Sequence, residues 1–205
     1  MARNSADLVI EPEVPAPAKS RVRDRIFETA SALFYRRGIR AVGVDTIACE
    51  AGTNKMSFYR SFASKDVLVA EYLGEQGREY WTWWDEVVAP YAGKPRKQVE
   101  ALFESCVTKT CAKDSRGCAI ANATIEIPED EHPGRKVLLD HKAESRRRLR
   151  KLAKEMGARE PDVLGDALML LLEGSYITRL TFSHGGPIIA AAKAAKTLMD
   201  AHLKR

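Results

Sequence analysis

The sequence predicts an all-α fold in which a small N-terminal helical domain precedes a larger helical domain. Three observations support this prediction. Apolar residues recur at helical spacing along most of the chain. No segment alternates apolar and polar residues for six positions, as a half-buried strand would. Proline and glycine residues divide the chain into segments of helix length.

The N-terminal segment is expected to be a disordered tail over residues 1–18, because it contains three prolines, three acidic residues and few large apolar residues. A helical pattern begins directly after it. Ser20 has the side chain of an N-cap, and Gly38 ends the pattern. The apolar stripe of this first helix consists of Val22, Ile26, Ala30, Leu33 and Phe34.

Residues 43–62 contain two short helical patterns separated by Gly52, where the chain can turn sharply. Ser64 then caps a further helix. Three short helices within about fifty residues make a small domain. The residues expected to face its core at a spacing of four are Ile47 with Ala51 and Phe58 with Phe62.

The remainder of the chain shows longer helical patterns between turn residues. The predicted helices span about 64–88, 95–113, 118–127, 134–157, 161–183 and 187–203.

Composition and charge narrow the function classes. With 45% hydrophobic and 30% charged residues, the chain has the composition of a soluble globular protein. No apolar run approaches the roughly 18 residues of a membrane span, and no secretory signal is recognisable, so a cytoplasmic protein without membrane contact is expected. Residues 19–65 contain ten Lys or Arg and four Asp or Glu, which concentrates positive charge as a polyanion-binding surface does.

The second short helix of the segment 43–62 carries side chains suited to nucleic acid. If its phenylalanines face the core, the other faces present hydrogen-bond donors that can reach phosphates and base edges. These donors are Lys55, Ser57, Tyr59, Arg60 and Ser61.

This arrangement resembles the TetR family of transcriptional regulators. The resemblance rests on Thr29–Phe34, Gly38, Ile47-Ala48, Ala51-Gly52, and Ser57–Phe62 followed by Ser64-Lys65, in that order and at the family's spacing. It covers residues 20–70. Four positions depart from the common pattern. Thr53 stands where the family often has Val, Met56 where it often has Gly or a small residue, and Arg60 and Ser61 where it often has Tyr and His.

The resemblance implies an N-terminal three-helix helix-turn-helix domain at 19–65 and an effector-binding and dimerisation domain at 66–205. It implies a homodimer that binds double-stranded DNA at a palindromic operator, represses transcription by default and is released by a small-molecule effector. Tyr59 and Lys65 would contact phosphates, and Ser57, Arg60 and Ser61 would face the groove. The full expected DNA-binding set is Thr53, Asn54, Lys55, Ser57, Tyr59, Arg60, Ser61 and Lys65.

The C-terminal domain yields less specific predictions. Dimerisation is expected through two apolar stripes in the last two helices, which could equally form the core of one subunit. One stripe is Leu164, Leu168, Leu171, Leu172, Ser175 and Leu180, and the other is Ile188, Ala191, Ala192, Ala195, Leu198 and Met199. The candidate effector-pocket residues are Trp84, Phe103, Cys106, Asn122, Glu126 and Tyr176.

Other function classes stay open but less favoured. A non-specific nucleic-acid-binding protein would need only the basic block. A helical-bundle enzyme or carrier is disfavoured, since no Gly-rich phosphate loop, nucleophile elbow or compact metal motif occurs. The sequence therefore indicates no enzyme and no cofactor. A metal or thiol sensor built from Cys106, Cys111, Cys118, His132 and His141 has spacings that match no known ligand pattern.

Overall fold

The computed structural model describes residues 22–113, 115–182 and 186–203, and it confirms the all-α prediction for them. The tail predicted for residues 1–18 lies outside this range. The α-helices of the described residues are α1 (Val22–Arg37), α2 (Val44–Glu50), α3 (Lys55–Ser61), α4 (Lys65–Val88), α5 (Pro95–Cys111), α6 (Ala119–Glu126), α7 (Pro133–Glu155), α8 (Pro161–Thr181) and α9 (Ala191–Leu203).

The helix boundaries follow the turn residues seen in the sequence. Pro95, Pro133 and Pro161 each occupy the first turn of a helix, where the missing proline N–H costs nothing. From α4 onward, the described helices begin and end within two residues of the predicted positions, except at the start of the last one. The last segment opens with a 3-10 turn, Pro187–Ala190, and the α-helix begins only at Ala191.

The first hydrophobic core joins α1, α2 and α3 to the beginning of α4. Ile26 and Leu33 of α1, Ile47 of α2 and Phe58 of α3 are fully buried in it. Leu68, Val69, Tyr72 and Leu73 extend this core along α4 beyond the predicted boundary at residue 65. The core also includes Ile120 and Ala123 of α6, Ile127 directly after it, and Leu138 of α7.

The second hydrophobic core fills the larger part of the molecule, between α5, α7, α8, α9 and the end of α4. Its buried side chains include Trp84, Phe103, Leu149 and Met199. Most of the two predicted dimer stripes belong to it, since Leu164, Leu168, Leu172, Ala191, Ala195 and Met199 are buried within the subunit. These residues therefore form part of the core of one subunit, which was the alternative to a dimer interface.

Helices α7 and α8 approach closely at Gly165. A Cβ atom built there would lie 2.7 Å from the Cα atom of Arg150 and 2.8 Å from its backbone nitrogen. The Arg150 guanidinium binds Asp166 across the same crossing, at 2.8 Å and 2.6 Å. The two helices can therefore keep this distance only because residue 165 has no side chain.

We expect Gly165→Ala to destabilise the protein by about 1–3 kcal/mol, because the added methyl group collides with backbone rather than with a mobile side chain. Urea unfolding at fixed protein concentration measures the change. Gly74→Ala in α4 is the matched control, since a Cβ there meets only the end of Arg78 at 3.7 Å. It should be neutral or slightly stabilising. Equal stability of the two variants would contradict the close approach.

Candidate nucleic-acid interface and adjoining cavity

Helices α2 and α3 form a compact unit around a sharp turn. Gly52 has a φ of +61°, in the left-handed region that favours glycine. The Thr53 N–H donates to the Ala48 carbonyl at 2.9 Å and closes the turn. The predicted core positions Ile47, Ala51, Phe58 and Phe62 are all buried, which fixes the orientation of α3.

Asn54 begins α3. Its side-chain oxygen accepts a hydrogen bond from the Ser57 N–H at 2.9 Å, which satisfies one of the free donors at the helix N-terminus. Asn54 and Thr53, both expected to contact DNA, therefore also shape the start of α3.

The outer surface of α3 carries the hydrogen-bond donors predicted from the sequence. Tyr59 is half exposed and packs edge-on against the ring of Phe58, with 5.4 Å between centroids. The Arg60 guanidinium donates to the Ser57 hydroxyl at 3.0 Å, and the Ser61 hydroxyl donates to the Ser57 carbonyl at 3.0 Å. Lys55 pairs with Asp45 of α2 at 3.2 Å, and both side chains are mostly exposed.

Met56, which departs from the family pattern, was not among the predicted DNA-binding residues. Its side chain is 71% exposed on α3, among the donors, although methionine is normally buried. An exposed apolar residue on such a helix can contact a thymine methyl group. The signal was available in the sequence, since residue 56 lies off the face defined by Phe58 and Phe62.

Lys65 occupies a different setting from the other predicted DNA-binding residues. Its ammonium group donates to the Ile39 carbonyl at 2.6 Å, at the start of α4. Burial lowers the pKa of this ammonium group, and the charges of Asp66 and Glu126 partly oppose the shift. Contact of Lys65 with phosphate stays a prediction.

The turn between α1 and α2 is held by the end of α6. The Arg40 N–H donates to the Glu126 carboxylate at 2.9 Å, and its guanidinium donates to the Glu126 carbonyl at 2.6 Å and to the Glu129 carboxylate. These contacts join residues more than eighty positions apart. Glu126 therefore lies at the junction of the two predicted domains.

A second set of contacts ties the end of α1 to the loop before α6. The Tyr35 hydroxyl accepts from the Arg116 N–H at 2.9 Å and donates to the Gly117 carbonyl at 3.2 Å. The Arg116 guanidinium donates to the carbonyls of Tyr35 and Arg36, which lie in the last turn of α1. Both ends of α6 thus contact the three-helix unit.

A cavity of about 540 Å³ lies between α1, α4, α5, α6 and α8. This is the size of a site for a small organic molecule. Ser31, Ala32 and Tyr35 of α1 form one wall, so the cavity reaches the three-helix unit directly. The other walls include Tyr72, Tyr80, Trp83, Cys106, Thr110, Gly117, Ile120 and Tyr176.

The six residues predicted to line an effector pocket lie in three different places. Cys106 and Tyr176 line the cavity. Trp84 and Phe103 are buried in the second core, and the neighbouring Trp83 lines the cavity instead. Asn122 and Glu126 lie beside a smaller hollow of about 140 Å³ near the α6 junction. The Asn122 amide donates to the Arg116 carbonyl at 2.9 Å.

The residues considered for a metal or thiol sensor are dispersed. Cys111 is exposed at the end of α5, His132 faces Asp66, and His141 is buried between the rings of Tyr80 and Trp81. Within the ranges described above, no three His, Cys, Asp or Glu side chains are placed to share a metal ion. In the same ranges, no helix is long and apolar enough to span a membrane.

The four thiols should differ sharply in reactivity. Burial raises the pKa of Cys106 to about 11 and also raises the pKa of Cys118, whereas Cys49 and Cys111 are exposed. With Ellman's reagent at pH 8, we expect a fast phase of two thiols and a much slower one of two. Cys49→Ser and Cys111→Ser should each remove one fast thiol. Uniform reaction of all four would contradict this arrangement.

Comparison with known proteins places this geometry in a family. Residues 26–72 match the family model of bacterial regulatory proteins, tetR family. The HTH-type transcriptional regulator YerO of Bacillus subtilis is 32% identical over 91 residues, which are 40% of this chain and 30% of YerO. The HTH-type transcriptional repressor KstR2 of Mycolicibacterium smegmatis is 36% identical over 72 residues, 35% of this chain and 33% of KstR2. The matches thus span about a third of these relatives.

Solved structures match over nearly the whole chain. A TetR-family transcriptional regulator from Streptomyces coelicolor is 25% identical, with a TM-score of 0.80 and coverage of 89% of this chain and 90% of that one. A tetR-type transcriptional regulator from Streptomyces avermitilis is 30% identical, with a TM-score of 0.74 and coverage of 90% and 100%. With this identity over full length and the matched N-terminal unit, the chain belongs to the TetR family of bacterial regulatory proteins.

Proposed function

We propose that the protein is a sequence-specific DNA-binding transcriptional regulator, and that it acts as a repressor released from its operator by a small molecule. The observation that carries the proposal is the α2–α3 unit. Its buried side fixes α3, and its exposed side presents Lys55, Met56, Tyr59 and Arg60 together. The related protein KstR2 is named a repressor, which supports the direction of regulation.

In this proposal α3 enters the major groove of DNA. The groove, about 12 Å wide, accepts an α-helix. Tyr59 and Lys55 would contact phosphates, which set position without reading sequence. Arg60 and Met56 would reach base edges, because an arginine can bind guanine through two hydrogen bonds and an apolar side chain can contact thymine.

The protein is proposed to act as a homodimer, because two recognition helices must reach major grooves about 34 Å apart. Helix α8 offers a surface for pairing beside its buried stripe. Val163, Ala167, Leu170, Gly174 and Ile177 follow one another at spacings of four and three, and Val163, Leu170 and Gly174 are exposed. Such a heptad stripe is typical of helices that pack against a partner helix.

The position of the cavity supports the proposed release by an effector. One of its walls is α1, and the Ser31 hydroxyl there is buried without a hydrogen-bond partner among the described residues. A ligand that bonds this hydroxyl would contact the DNA-binding unit itself. The junction contacts of Arg40 with Glu126 and of Arg116 with Tyr35 would transmit a shift of α6 to α1. Release requires that the ligand prefer the state that does not bind DNA.

The DNA proposal is tested by two substitutions on α3. We expect Tyr59→Ala to weaken binding to all DNA alike, because it removes a phosphate contact. Arg60→Ala should cost about 1–3 kcal/mol on the operator and relax sequence preference at one position. Fluorescence anisotropy with the DNA upstream of the protein's own gene and with scrambled DNA, each over a salt series, measures both effects.

The control for these variants is Lys136→Gln on α7, an exposed lysine that pairs with Asp140 at 2.7 Å and lies far from α3 in sequence. It should leave DNA binding unchanged. Equal affinity of the unaltered protein for both DNAs would instead indicate a non-specific nucleic-acid-binding protein.

The dimer proposal is tested by Leu170→Lys. Leu170 is 74% exposed in the single subunit, so the change should leave each subunit folded but bury a lysine in the paired state. We expect the dissociation constant of the dimer to rise at least tenfold in sedimentation equilibrium, with unchanged helical circular dichroism. Leu139→Lys on α7, at a residue 54% exposed, is the matched control. Identical dimer dissociation in both variants would exclude this face of α8.

A further inference from the structure

We propose that the 540 Å³ cavity binds an aromatic carboxylate, with its uncharged ring system inside and its carboxylate at the edge beside Lys109 and Lys113. This assignment rests on the proposed effector function and adds a chemical class to it. It follows from three properties of the walls, namely their aromatic surface, the lack of charge inside, and the cations at one side.

The inner surface of the cavity is largely aromatic. Tyr72, Tyr80, Trp83 and Tyr176 contribute rings from α4 and α8. The Trp83 ring is held in place, because its Nε1–H donates to the Ser105 hydroxyl at 2.9 Å. Fixed rings favour a flat ligand that can stack or meet them edge-on. A long alkyl chain would gain less from such walls than from aliphatic ones.

The inner polar groups carry no charge at neutral pH. Burial raises the pKa values of the Tyr80 and Tyr176 hydroxyls, and that of the Cys106 thiol to about 11. The Tyr80 and Tyr176 hydroxyls are close enough to shift each other's pKa, and the Cys106 thiol lies 3.8 Å from the Thr110 hydroxyl. A charged ligand group placed here would lose its hydration without gaining a counter-charge. The buried part of the ligand is therefore neutral.

The cations stand on the exposed side of the cavity. Lys109 lies on α5 and Lys113 lies in the turn after it, and both are exposed residues of the cavity lining. The Lys109 ammonium lies 5.3 Å from the centre of the Trp83 ring. Neither lysine forms an ion pair with a described residue. A ligand whose ring lies on Trp83 would therefore have its edge within reach of Lys109.

Among the described residues of the cavity lining, the acidic side chain is Glu79, which is exposed and accepts a hydrogen bond from the Gln76 amide at 2.9 Å. Within this described set, two lysines against one glutamate make the edge of the cavity positive. A cationic ligand would meet two like charges there, so the charge pattern favours an anion. A carboxylate matches the two ammonium groups.

The experiment compares three ligands that share one ring system. They are 2-naphthoate, 2-naphthylmethanol and 2-naphthylmethylammonium, titrated into the full-length protein without DNA by isothermal calorimetry. Quenching of tryptophan fluorescence gives a second readout, because Trp83 lines the cavity. We expect 2-naphthoate to bind at least tenfold more tightly than the ammonium compound, with the alcohol between them.

Three variants locate the binding. Lys109→Gln with Lys113→Gln should weaken 2-naphthoate about three- to tenfold and leave the alcohol unchanged, as loss of two exposed charges implies. The matched control is Lys97→Gln with Lys154→Gln, two exposed lysines outside the cavity lining. Ala32→Trp, at an exposed position of the α1 wall, should block all three ligands without altering the circular dichroism.

The assignment is overturned if 2-naphthoate does not bind, if the three ligands bind equally, or if the Lys109 and Lys113 double variant binds 2-naphthoate as the control does. DNA anisotropy without ligand separates this result from the regulator proposal. Specific DNA binding with no preference for the carboxylate refutes only the ligand class. Preference for the carboxylate without specific DNA binding upholds the ligand class and refutes only the regulator.

Discussion

Helix α4 belongs to both hydrophobic cores, and this shared membership constrains the rest of the molecule. Leu68 and Leu73 near its start are fully buried against the three N-terminal helices, while Trp84 near its end is buried among α5, α7 and α8. Since protein interiors are close-packed and transmit strain, we expect a displacement at one end of α4 to affect the packing at the other. The cavity lies against its middle, at Tyr72, Tyr80 and Trp83.

Helix α6 supplies a second connection between the same two parts. It spans only Ala119–Glu126, yet its preceding loop contacts α1 through Arg116 and its end contacts the α1–α2 turn through Glu126. Ala119 and Ile120 also line the cavity. A coupling free energy of about 1–3 kcal/mol, the usual range for linked sites, could arise from rearranging these few contacts.

The sequence predicted the helices and the α2–α3 unit well because both depend on local signals, namely prolines in first turns, Gly52 and the paired spacing of Ile47, Ala51, Phe58 and Phe62. The cavity was harder to predict. Trp83 and Trp84 are neighbours on α4 and point in different directions, and the sequence does not show which of them faces the cavity. Trp84 was predicted to line the cavity, but it lies in the second core and Trp83 lines the cavity instead. Glu126 was predicted to be a pocket residue. Its hydrogen-bond partner Arg40 lies 86 positions away, and no local pattern in the sequence indicates that contact.

The α1 wall of the cavity limits how freely this chain can be recombined. A chimera that joins its N-terminal three helices to the body of a relative would carry Ser31, Ala32 and Tyr35 along with α3. Under the proposed function, such an exchange alters ligand recognition along with operator choice, and it separates Tyr35 from its partners Arg116 and Gly117. The three helices that would bind DNA therefore also contribute one wall of the proposed effector cavity.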